Sequence, residues 1–110
     1  MSSSTGGLTT HVLDLVSGKP AAGMTIELYH VGKLLTSAVT NADGRTEKPL
    51  VEAAALLPGE YQLIFHVGPY FGQAGFLDRV PVRFTVRESG GRYHVPLLCS
   101  PWAYSTYRGT

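Results

Sequence analysis

Cysteine is nearly absent from this 110-residue chain. Cys99 is the single one, so no intrachain disulfide can form, and a disulfide-stapled secreted scaffold is excluded. Charge is equally scarce: 15% of residues carry it, and the formal net charge is +1. That balance provides no basic face for nucleic acid or for an anionic membrane surface, and it leaves surface free for a sizeable buried interface. No apolar run approaches the roughly 20 residues of a membrane span. Met1 to Gly7 has neither the basic n-region nor the apolar h-region of a secretory signal. The expectation is a soluble cytoplasmic protein with no nucleic-acid partner and no membrane partner.

What the chain does contain is alternation. Hydrophobic residues make up 44% of it, enough for one core, in a chain short enough that self-association would help to stabilise it. Residues 1–7 are small and polar, the composition of a flexible tail, which leaves 8–110 as a single domain. Strands are predicted at Leu8 to Leu15, closed by the turn cluster Ser17-Gly18-Lys19-Pro20, at Met24 to His30, and at Leu34 to Thr40. Further strands are predicted at Tyr61 to Val67, Val80 to Arg87 and Tyr93 to Leu98, with a last short one beyond Ser100-Pro101. Val51 to Leu57 has helix-forming alanines but only seven residues, marginal for a helix without packing. Gly68 to Gly75 reads as one or two helical turns started by Pro69 and stopped by Gly75. The fold class is therefore all-β, an antiparallel β-sandwich of seven to eight strands with one short helix.

Few residues here can carry chemistry. All four histidines fall on predicted strands, and imidazole, with an ordinary pKa of about 6.5, accepts a proton near neutral pH; His11 and His94 are the first candidates. The plain alternative is a sandwich histidine satisfied by a neighbour, which is the preferred account of His30 and His66. Arg45 leaves the Asn41-Ala42-Asp43-Gly44 turn, where a solvated surface charge is the ordinary expectation. Its guanidinium nevertheless offers a rigid fork of donors suited to a planar substrate with carbonyl oxygens. Arg108 has a similar ordinary account, weakened by its place in a Tyr-Arg-Gly-Thr tail. Thr110 adds a hydroxyl. Cys99, between Leu98 and Ser100, reads as a packed thiol.

Four blocks together resemble one family. Leu8-Thr9-Thr10-His11-Val12-Leu13-Asp14, Thr40-Asn41-Ala42-Asp43-Gly44-Arg45, Tyr93-His94-Val95-Pro96-Leu97-Leu98 and Tyr104-Ser105-Thr106-Tyr107-Arg108-Gly109-Thr110 are similar to the signature blocks of the 5-hydroxyisourate hydrolases. These are the transthyretin-like enzymes of purine (urate) catabolism. The resemblance implies a transthyretin-like sandwich with its helix near residue 70. It also implies hydrolysis of 5-hydroxyisourate to 2-oxo-4-hydroxy-4-carboxy-5-ureidoimidazoline, by water attack on a ring carbonyl. His11, Arg45, His94 and Thr110 match the family's catalytic positions, and Arg45 with Tyr107, Arg108, Gly109 and Thr110 match its substrate-binding ones. Either histidine suits the role of base. The family's assembly, a homotetramer with active sites at the dimer-dimer interface, is implied for this chain as well.

The chain departs from the family pattern twice. Thr110 stands where serine usually ends the motif, which keeps the hydroxyl and adds a methyl. Arg92 stands where a second histidine often lies two residues before His94, which disfavours a zinc site built from close histidines, and no Cys/His cluster elsewhere compensates. A hydrolase with no metal and no cofactor is expected. The rival readings are a transthyretin-type carrier that binds a small ligand without turnover, and a β-sandwich interaction module, since fold alone does not fix function.

Overall fold

The computed structural model describes residues 6–73 and 75–110. In chain order the elements are β1 (Gly7–Asp14), β2 (Lys19–Pro20), β3 (Thr25–His30), β4 (Lys33–Val39), a 3₁₀ turn at Ala53–Ala55, β5 (Gly59–His66), α1 (Val67–Tyr70), β6 (Arg79–Val86), β7 (Arg92–Cys99) and β8 (Tyr104–Thr106). They form two four-stranded sheets, ordered β2-β1-β7-β8 and β4-β3-β5-β6. The expected all-β sandwich is present, with eight strands among the described residues and one short helix.

Period-two burial is what builds the two layers. Ile26 and Leu28 of β3, Tyr61, Leu63 and Phe65 of β5, and Val80, Val82 and Val86 of β6 point inward from one sheet. Leu8 and Val12 of β1 and Tyr93, Val95, Leu97 and Cys99 of β7 meet them from the other. Each such aliphatic or aromatic side chain contributes about 1.5–3 kcal/mol relative to exposure.

Four expectations need correction. The sandwich is not purely antiparallel: β1 and β7 run parallel, paired from Gly7↔Arg92 to Asp14↔Cys99. Gly7, placed in the tail by composition, heads β1, and its N–H bonds Gly91 O at 2.8 Å; residues 1–5 of that tail lie outside the described residues. Val51 to Leu57 yields only the three-residue 3₁₀ turn. Val51 is held extended by the Leu8 N–H to Val51 O bond (2.9 Å), and the Tyr61 hydroxyl donates to Leu57 O at 2.9 Å, so both ends are committed elsewhere. α1 starts at Val67 rather than Pro69 and is stopped by Gly72 rather than Gly75. Gly72, at φ 73°, donates to Pro69 O and Gln73 donates to Gly68 O, the paired bonds of a Schellman stop.

One device locks α1 to the sheet. The Asp14 carboxylate accepts the N–H groups of Val16 and Ser17 at 2.8 and 3.2 Å and the Tyr70 hydroxyl at 2.9 Å. Burial by itself pushes Asp14 up, but these donors outweigh it and hold the carboxyl below its ordinary value. Tyr70 is pushed up to about 12 by burial and by that carboxylate. Among the described residues, no helix is long and apolar enough to cross a membrane.

Candidate active site

Burial of the core decides which side chains face out. Because Leu8, Thr10 and Val12 turn inward on β1, Thr9 and His11 must turn outward; because Tyr93 and Val95 turn inward on β7, His94 must turn outward too. The parallel register sets Thr9 beside His94 and His11 beside Pro96. Both histidines therefore share one outer sheet face on adjacent strands, one pleat apart. Thr9 Oγ1 lies 2.8 Å from His94 Nδ1.

Arg45 arrives from outside the sheet. Asn41 Oδ1 accepts the N–H groups of Asp43 (2.9 Å) and Arg45 (3.2 Å), and Asn41 N–H bonds Arg45 O at 2.8 Å, closing a tight turn. That turn docks on β1 through Val12 N–H to Gly44 O at 2.8 Å. Only glycine fits there: φ is +75°, and a Cβ would lie 2.5 Å from Val12 O. The chain then runs beside β1 to the Leu8↔Val51 bridge.

The carboxy-terminal tail closes the other side. β8 pairs antiparallel with β7 from Cys99↔Tyr104 to Leu97↔Thr106, and the same register continues to an isolated bridge, His94↔Gly109, with Gly109 N–H bonding His94 O at 2.7 Å. A cleft of about 240 Å³ results, lined by Thr9, Arg45, Arg92, His94 and Thr110 over the backbone of Gly6 and Gly7. Burial, and then the positive charges of Arg45, His11 and Arg92, lower the His94 pKa, so the imidazole is neutral at neutral pH.

Of the residues predicted from sequence, Arg45, His94 and Thr110 line this cleft, Gly109 packs on the His94 ring, and His11 lies beside it on the same face. Tyr107 and Arg108 do not line it. They line a separate cavity of about 550 Å³ with Phe84, Tyr93 and Val95 at the open edge of the sandwich. There the Arg108 guanidinium sits 4.3 Å from the Tyr93 ring centroid, and its Nη2 donates to Arg92 O at 2.9 Å. Arg108 thus pins the tail from the opposite side. Sequence reasoning gave Thr9 no role, although its spacing of two from His11 on a strand was the available signal. It treated Arg92 as a missing histidine, where the structure adds a second guanidinium to the cleft.

The other candidates resolve simply. His30 stacks on Tyr61 at 4.1 Å with Nδ1 2.9 Å from Glu60 O, and His66 Nε2 lies 3.3 Å from Glu27 Oε1, all on the opposite sheet. Cys99 is buried, and burial together with Asp14 pushes its thiol up to about 11, so it holds no nucleophilic thiolate. Among the described residues, no three His, Cys, Asp or Glu side chains converge.

The chain matches known proteins over most of its length. The 5-hydroxyisourate hydrolase of Deinococcus radiodurans is 52% identical over 94% of this chain and 96% of that protein. The solved 5-hydroxyisourate hydrolase of Klebsiella pneumoniae superposes with a TM-score of 0.82 at 38% identity, over 94% of this chain and 98% of that one. Transthyretin from Sparus aurata superposes with a TM-score of 0.84 at 26% identity, over 93% and 95% of the two chains. The family model described as HIUase/Transthyretin matches residues 8–109, and the chain belongs to that family.

Proposed function

We propose that this chain hydrolyses 5-hydroxyisourate to 2-oxo-4-hydroxy-4-carboxy-5-ureidoimidazoline in purine breakdown, with His11, Arg45, His94 and Thr110 as its catalytic groups. The observation that carries the reading is a neutral imidazole, His94, in one cleft with the Arg45 guanidinium and the Thr110 terminus, and with His11 adjacent. A water held at His94 loses its proton to the ring as its oxygen attacks a ring carbonyl carbon, a step for which a placed base contributes ~10²–10⁴-fold. The carbonyl oxygen gains negative charge, which Arg45 steadies. Collapse breaks the adjacent carbon-nitrogen bond, the proton passes from His94 to the departing nitrogen, and the former carbonyl becomes a carboxylic acid, which loses the second proton of the water to solvent. His11 and the Thr110 hydroxyl hydrogen-bond substrate or water. Gly109 lets the tail close over the ring, and Arg108 holds that tail in place.

No metal is needed. The cleft is edged by guanidiniums, which repel a cation and attract an anionic heterocycle. A carrier that binds without turnover has no use for a neutral imidazole beside a guanidinium, which disfavours that alternative.

The working form is a cytoplasmic homotetramer. Among the described residues β2, β4, β6 and β8 are edge strands, each with one side free for extension of the sheet into a dimer, and the outer face bearing His11 also presents Leu13 and Leu98, suited to burial against a second dimer. The test is the ultraviolet decay of freshly generated 5-hydroxyisourate with and without protein; equal rates would end the proposal. His11→Ala, Arg45→Ala and His94→Ala are each expected to lose most hydrolysis with the circular dichroism of the parent. Sedimentation velocity reads the assembly state.

A further inference from the structure

The His94 ring is held along both of its long edges, by two different parts of the chain. On one edge, β1 presents the Thr9 hydroxyl to Nδ1 at 2.8 Å. On the other, Gly109 lies so close to Cδ2 that a Cβ there would stand 2.5 Å away. Those contacts leave Cε1 and Nε2 as the open side of the ring, and no described residue bonds Nε2. A neutral imidazole has one nitrogen that donates and one that accepts, and the partner of the first decides which is which.

We infer that Thr9 is a positioning residue that accepts the Nδ1–H of His94 and so keeps the lone pair on Nε2, facing the cleft. The inference rests on the hydrolase reading and adds a residue to it. A hydroxyl suits the task better than a carboxylate would. Its oxygen accepts from Nδ1–H while the ring is neutral, and it accepts from the same N–H after Nε2 has taken the proton from water, so nothing at Nδ1 rearranges during the step. Being uncharged, it also leaves the lowering of the His94 pKa by burial and by Arg45, His11 and Arg92 intact, whereas a carboxylate there would favour the charged ring. Thr9 is only half buried, so its own proton has water to donate to.

Other residues in the cleft do not offer this. Thr110 and Arg92 line it without a hydrogen bond to the ring, and Thr10, next in sequence, faces the core with its hydroxyl donating to Val95 O at 2.7 Å. The two threonines of the first block therefore have opposite duties, one structural and one at the site.

Thr9→Val removes the hydroxyl at nearly constant volume, and Thr9→Ser restores it. The expected result is a fall in kcat of about tenfold or more for Thr9→Val with KM little changed, a part of the ~10²-fold or more that a well-placed base contributes, and recovery of most of the loss in Thr9→Ser. The ring nitrogens of His94 in nitrogen-15 spectra should report the Nδ1–H form in the parent and in Thr9→Ser, and a mixture of forms in Thr9→Val. A Thr9→Val protein with parental kcat and an unchanged His94 tautomer overturns the inference while leaving the hydrolase standing. Absence of hydrolysis in the parent overturns the hydrolase, and the nitrogen-15 comparison then still decides the tautomer claim.

Discussion

Replacing Gly109 by alanine would set a methyl 2.5 Å from Cδ2 of His94 and 3.3 Å from both Cγ of that ring and Cγ of Pro96. Carbon atoms in contact settle at roughly 3.5–4.0 Å, so the ring or the tail must retreat by about 1 Å. The ring is tied to Thr9 on its far edge, and the tail is tied by the 2.7 Å bond from Gly109 N–H to His94 O. If the ring moves, Nε2 leaves its aim; if the tail moves, Thr110 leaves the cleft. A displacement of that size costs a reaction about 10²-fold, equivalent to about 2.7 kcal/mol of transition-state stabilisation. Stability should hardly change, because Gly109 lies outside the buried core. The assay is initial-rate hydrolysis of 5-hydroxyisourate by ultraviolet absorbance, run beside thermal melts of parent and variant. A Gly109→Ala enzyme within about twofold of the parent would refute the claim that ring placement at this spacing matters. A variant that loses activity only because it melts early would refute the separation of site from fold.

The acid limb of kcat/KM should fall below the ordinary imidazole range near 6.5, because His94 is lowered by burial and by surrounding positive charge; Arg92→Gln removes one of those charges and should move the limb to higher pH in a pH-rate profile. Tyr70→Phe deletes the hydroxyl bond to Asp14 and is expected to cost about 1–2 kcal/mol in urea denaturation at neutral pH. Since Asp14 is held below its ordinary value when folded, its stabilisation is present above the unfolded carboxylate pKa and vanishes as pH falls through the lowered one. The gap between parent and variant should therefore close in acid. Val31, at φ 52° and 80% exposed, occupies the first position of a two-residue hairpin turn that β-branched residues fit poorly; Val31→Asn should raise stability by about 1 kcal/mol, and a lower melting temperature would contradict this.

Much of the sandwich was legible because burial writes itself into a strand at every second residue. In the strand predicted at Tyr61 to Val67, every second residue is apolar, Tyr61, Leu63, Phe65 and Val67, and all four are buried. Pairing direction was not legible in the same way. A strand buried on one face alternates identically whether its neighbour runs with or against it, and β1 and β7 are separated in the chain by all the strands of the other sheet. The α1 stop was misplaced because both Gly72 and Gly75 are available, and only the hydrogen bonds of a folded turn choose between them. In the tail, period two accounts for Arg108 alone: with Gly109 opposite His94 it must face the other way, and it does, onto Tyr93, whereas Tyr107 beside Arg108 and Thr110 beside His94 do not follow the alternation.

The same alternation explains why so small a protein can assemble a site from four separate segments. The core needs Leu8, Thr10 and Val12 inward on β1 and Tyr93, Val95 and Leu97 inward on β7, and once that is satisfied Thr9, His11 and His94 have no choice of side. The face is thus fixed by apolar burial, the offset between the histidines by the parallel register, and only Arg45 and the tail need devices of their own, a glycine turn and a continued strand pairing. A core substitution that preserves the inward pattern therefore leaves the constellation in place at a cost to stability alone. An insertion of a single residue between His11 and Val12 cannot do so. Where no β-bulge absorbs it, it either turns Val12 out of the core, and with it the Val12 N–H that docks the Arg45 turn, or carries Thr9 and His11 to the inner face, and the initial rate of hydrolysis is expected to fall in both cases.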